Sequence, residues 1–133
     1  MSAGAEAEVR AAAADLVAAF AAHDTGRYFA AFAEDATFLF PTQSGLLATR
    51  AAYESAWRAW ELDGFRVLGC RTDDTAVRVV ADGLAVLTHR VHTRLAAKAG
   101  ARGEEVRERE TVVFRRSPDG RWLVVHEHLS PEP

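Results

Sequence analysis

The chain has 133 residues, 49% hydrophobic and 26% charged, with a formal net charge of −3 at pH 7. That size and balance fit one globular domain over residues 1–133, and the lone Cys70 excludes a disulfide framework or a four-cysteine zinc site. The mildly acidic charge offers nucleic acid no attraction, and Glu6, Glu8 and the lack of a long apolar run predict a cytoplasmic protein with no leader and no membrane contact.

Val9, Ala13, Leu16, Val17 and Phe20 recur at three- and four-residue steps, which predicts a helix of about four turns with one apolar stripe. His23-Asp24-Thr25-Gly26 ends it, with His23 suited as an imidazolium to the negative pole. Tyr28, Phe29 and Phe32 predict a shorter second helix that stops before Asp35. Ala36 to Phe40 reads as a buried strand stopped by Pro41. Thr49 is the expected N-cap of a third helix that carries Tyr53, Trp57 and Trp60 on one stripe.

From Phe65 the pattern turns strand-like. One long strand runs to Val80 with a bulge at Asp73-Asp74, and Asp82-Gly83 marks a hairpin. Further strands are expected over Ala85 to Leu95, Val106 to Arg116 and Trp122 to Leu129, with turns near Gly100 and at Ser117-Pro118-Asp119-Gly120. Helices followed by an antiparallel meander define an α+β layout.

His23-Asp24, then Phe32-Ala33-Glu34-Asp35-Ala36, and above all the terminal Trp122 with His126-Glu127-His128-Leu129-Ser130 resemble the nuclear transport factor 2-like superfamily. Within it the chain is most similar to the SnoaL-like group and to the association domain of calcium/calmodulin-dependent protein kinase. The resemblance implies a cone-shaped fold with helices packed on a curved antiparallel sheet, a pocket on the concave face and a homodimer through the convex face. Positions corresponding to the tyrosine, base and acid of ketosteroid isomerase are held here by Leu16, Phe40 and Val112, so that chemistry is not expected. Of three arginines that receive a carboxylate in association domains, the match retains Arg90 and replaces the others by Val112 and Leu129; Trp57 matches an aromatic at the pocket rim.

Strand alternation supplies a candidate site. A four-residue turn at Ser117 to Gly120 pairs Glu110 with Glu127, and a loop centred on Gly100 pairs Arg90 with Glu110, Thr88 with Val112 and His92 with Glu108. With Arg90 on the concave face, as the resemblance implies, Glu110 and Glu127 join it there as an acid/base pair, and His92 stands nearer the mouth as a third catalytic candidate. Arg90, Trp57, Thr88, Val112, Phe114 and Leu129 are the expected ligand contacts. The plainer alternative is a cross-strand salt-bridge ladder.

His126 and His128 have a zinc-like spacing, but nothing in the sequence completes a shell, so no metal and no cofactor is expected. Trp122, Val113 and Val124, with His126 and His128, are expected on the outer face as the dimer patch, and Cys70 as a buried, inert thiol. The alanine- and arginine-heavy composition suits a high-GC bacterium. Together these readings predict a domain that binds a small, largely apolar molecule. Any catalysis would be cofactor-free isomerisation, cyclisation, dehydration or hydrolysis of the kind the resemblance implies in secondary metabolism. The alternative is a non-catalytic association module with a vestigial pocket.

Overall fold

The alanine-rich start of the chain has high helix propensity, and in the computed structural model, which describes residues 2–133, it forms α1 (Ser2–Ala21). Val9, Ala13, Leu16 and Ala19 are its buried stripe. His23 ends the helix by conformation. It adopts φ 52, its N–H bonds to the carbonyl of Phe20, and the N–H of Asp24 reaches back to Ala19. Charge plays no part in this cap: His23 Nδ1 accepts the Val67 N–H at 2.9 Å, so the proton sits on Nε2, which donates to Glu61 at 2.8 Å.

Asp24 caps α2 (Thr25–Phe29), which is shorter than the aromatic spacing predicts. Phe32 instead opens β1 (Phe32–Leu39), since the chain there pairs with the last strand and the Ala31 carbonyl accepts the Val124 N–H at 2.9 Å. The ring of Phe32 stays in the core either way, so its apolar spacing does not distinguish the two structures. Thr49 accepts the Ala52 N–H and caps α3 (Arg50–Leu62), as expected.

Four long strands follow: β2 (Arg66–Ala81), β3 (Leu84–Ala96), β4 (Glu104–Arg116) and β5 (Trp122–Pro131). The sheet order is β1-β5-β4-β3-β2, antiparallel throughout except that β1 runs parallel to β5. The register shift in β2 between Asp73 and Ala76, with Asp74 at φ 55, falls at the predicted bulge. The sheet curves around α1, which packs chiefly on β2. Between helices and sheet lies an aromatic core that includes Phe29, Phe32, Phe38 and Trp57. Among the described residues no helix is long and apolar enough to cross a membrane.

Candidate functional site

Side chains on the concave face are decided by three registers. The loop between β3 and β4 is centred half a residue earlier than Gly100, so His89, not Arg90, stands opposite Glu110. One step of slip exchanges the two faces of β3. Arg90 therefore projects outward, 3.9 Å from Asp74 and from Glu132. Thr88 is exposed opposite Thr111, and His92 lies on the outer side with Nε2 3.0 Å from Asp73. None of these three expected site residues reaches the hollow.

On β5 two shifts act together. The turn is one residue longer than four, which pairs Phe114 with Val124, and a bulge at Val125 then pairs Val113 with His126 and Val112 with Glu127. The bulge exchanges the faces of β5 midway. Before it, Trp122 and Val124 point inward, so they leave the expected outer patch for the core, where Trp122 Nε1 donates to Glu8 at 2.8 Å. After it, Glu127 and Leu129 point inward as expected, with Glu127 diagonal to Glu110 rather than opposite. Val112 and Phe114 are inward too, but sealed in the apolar core at 1% exposure. Val113, His126 and His128 remain on the outer face, with His126 Nδ1 2.7 Å from Thr37 Oγ1.

The inner face thus brings together Glu110, Glu127 and a residue the sequence reading left outside, His89. His89 Nε2 lies 2.6 Å from Glu110 Oε1, and the Glu127 carboxyl stands beside that of Glu110. Burial pushes both acids up. Glu110 rises to about 7, moderated by the adjacent Glu127 carboxyl, and Glu127 rises well above the usual carboxylate range because burial and the charge of Glu110 both oppose its ionisation. The pair therefore holds a proton between its two carboxyls near neutrality. Burial holds the His89 imidazole down, against the pull of Glu127. The two phenols of Tyr28 and Tyr53, 2.9 Å apart, complete the polar floor.

Glu110, Glu127, Tyr28 and Tyr53 line an inner hollow of about 70 Å³ together with Leu16, Val17, Phe20, Cys70, Val91, Thr93, Glu108 and Leu129, and His89 stands behind Glu110. Phe20, Tyr53, Glu108 and Leu129 also line an outer hollow of about 400 Å³, walled by Trp57, Trp60, Phe40 and Phe65, so the two hollows share a wall. Burial pushes the Cys70 thiol up to about 11, which disfavours its thiolate. A wider groove of about 570 Å³ follows β2 on the other side of the sheet; among its described lining residues Arg78 alone is ionisable and there is no acid/base pair.

Trp57 is held at the wall by its surroundings: His23 stacks on it at 5.0 Å, and its Nε1 donates to Thr25 at 3.1 Å. The sequence reading took Tyr28 and Tyr53 as helix packing. One signal was available: they are the only two tyrosines in the chain, both fall on apolar stripes, and a buried phenol must find a polar partner. His89 and Glu108 carried no comparable signal without the register.

Helices at the N-terminus packed on a curved five-stranded sheet in this order make the nuclear transport factor 2-like fold. The SnoaL-like domain model matches residues 9–132, and the chain belongs to that family. A nuclear transport factor 2-like superfamily protein of Salmonella enterica superposes with TM-score 0.85 at 16% identity, covering 100% of this chain and 94% of that one. A Xanthomonas campestris protein assigned to the calcium/calmodulin-dependent protein kinase II association domain gives TM-score 0.78 at 23% identity, covering 95% and 86%. A Catenulispora acidiphila protein in complex with S-DNPA gives TM-score 0.75 at 17% identity, covering 96% and 92%. No curated protein matches the sequence.

Proposed function

We propose that this domain binds a small, largely apolar molecule in the paired hollows and moves a proton on it without a cofactor. The observation that carries this reading is the buried cluster of Glu127, Glu110 and His89 at an inner hollow that shares a wall with an aromatic-walled outer one. Glu110, poised near neutrality, is the base; Glu127 is the acid; His89 orients the base. A dehydration uses all of these. Glu110 takes a proton from carbon beside a carbonyl, Glu127 gives its proton to the leaving hydroxyl, and water departs. The proton on Glu110 then passes to Glu127 and restores the starting state. Of the hydrogen-bonded Tyr28 and Tyr53, the phenol that accepts from the other keeps a proton to donate to the carbonyl oxygen as charge develops there. A Catenulispora acidiphila neighbour with a bound small molecule supports use of the hollow as a binding site.

The test is a thermal-shift screen of hydroxyketones, lactones and polyketide-like aromatics, followed by deuterium exchange from heavy water into each hit. Hits are expected to raise Tm by about 3 °C or more, and Glu110→Gln to slow exchange by at least about 100-fold. Exchange that persists in both Glu110→Gln and Glu127→Gln would remove the catalytic reading. The same proposal includes a homodimer through the outer sheet face, supported by the half-buried Val113 and His126 beside His128.

A further inference from the structure

The charge inside the hollows differs from that of the molecule around them. Sixteen lysines and arginines occur in the chain, yet none lines either hollow among the described residues. The ionisable groups that do are the acids Asp63, Glu104, Glu108, Glu110 and Glu127, the tyrosines and Cys70. Outside, carboxylates find cations: Asp35 takes Arg115 at 3.0 Å and Asp82 takes Arg116 at 2.9 Å. Behind the inner hollow the imidazole of His89 is engaged by Glu110, and Glu108, half-buried on the wall that the two hollows share, has no ion-pair or hydrogen-bond partner among the described residues.

The walls next to Glu108 are equally specific. Phe20, Tyr53, Trp57, Trp60 and Phe65 present aromatic rings to the outer hollow. An aromatic face is negative at its centre and attracts a cation. A half-buried carboxylate without a counter-ion gains from a ligand that brings one. A ligand carboxylate in the outer hollow would meet Asp63, Glu104 and Glu108 and no cation among the described lining residues, and a neutral ligand would leave Glu108 unpaired.

Resting on the reading of these hollows as a ligand pocket, we infer that their ligand is a lipophilic organic ammonium. Its charged nitrogen sits at Glu108, its apolar body lies along the aromatic wall, and the end that reacts reaches Glu110 and Glu127. The inference separates this chain from a carboxylate receptor by charge alone, because shape and apolar contacts are common to both.

Three probes of one shape test it: 3-phenylpropylamine, 3-phenylpropanol and 3-phenylpropanoate, titrated calorimetrically into the full chain at pH 7.5 and low salt. The amine is expected to bind at least tenfold more tightly than the alcohol, and the carboxylate to give no heat. Glu108→Gln removes most of the amine's advantage and leaves the alcohol within twofold, whereas Glu54→Gln on the outer side of α3 changes neither. Equal affinity for amine and alcohol, or a carboxylate that binds as tightly as either, overturns the inference while the pocket and its acid pair stand. No heat from any probe also overturns it, and the exchange test on Glu110 then judges the proposed function by itself.

Discussion

Glu110 and Glu127 are recognisable in the sequence as two acids on neighbouring strands, but their protonation depends on burial and on each other. Because both are raised in the folded state, the unfolded chain loses these protons first, near the ordinary glutamate value. The native state therefore holds more protons between there and about 7, and stability falls as pH rises through that window. His89 acts in the opposite sense: burial lowers it, so its contribution to stability falls away as pH drops below its ordinary value of 6.5. The informative quantity is thus the difference between wild type and Glu127→Gln, which replaces a protonated carboxyl by a neutral amide of the same shape. Between pH 5 and pH 8, Tm of the variant relative to wild type is expected to rise by about 5 °C. A parallel pair of Tm curves would mean that Glu127 ionises like a surface acid. Glu110 and Glu127 were legible by residue type and strand parity; His89 was not, because adjacent residues on a strand differ in face and only the register chooses between His89 and Arg90.

Helix ends show how local chemistry and tertiary contact divide the work. Both α1 and α3 stop with a left-handed residue and the same pair of backward hydrogen bonds: His23 serves in the first, and Gly64 at φ 97 in the second, where the Phe65 N–H reaches the Trp60 carbonyl. The ring of Phe65 then packs on that of Trp60 at 5.7 Å, which fixes the aromatic wall of the outer hollow. Gly64 is also crossed by the loop after β3: a Cβ there would lie 2.1 Å from the Ala99 nitrogen, and the Asp63 carbonyl accepts the Ala99 N–H at 2.7 Å. Gly64→Ala is expected to cost roughly 3 kcal/mol, the left-handed penalty plus a backbone clash, read from the urea midpoint. A loss under about 0.5 kcal/mol would show that the loop moves aside freely. At this scale the Thr49 cap, the Asp73-Asp74 bulge and the Asp82-Gly83 hairpin were readable, since each is set by a few adjacent residues. The bulge at Val125 was not: it interrupts an apolar run whose members are acceptable on either face.

On the scale of the whole molecule, Trp122 and Val124 belong to the core, so the proposed dimer rests on Val113, His126 and His128 alone. Val113→Glu, on an outward position of β4, is expected to convert the dimer to monomer in sedimentation while Tm falls by no more than a few degrees. A wild-type protein that already sediments as a monomer at tens of micromolar would dispose of the outer-face interface. The order of elements and the match over residues 9–132 both followed from patterns that the chain writes locally: periodicity, caps, turns and the terminal Trp-to-Ser strand. Local pattern therefore determined the α+β cone and two of its interior acids. Only the tertiary structure decided that β1 runs parallel to β5, that Arg90 and His92 face outward, and that His89, Tyr28 and Tyr53 join the acids inside. The physical reason is that a strand's face alternates with every residue, so a half-residue change at a loop centre or one bulged residue, each nearly neutral in local energy, exchanges every side chain that follows; the difference is settled by which exchange buries the apolar set and pairs the polar one.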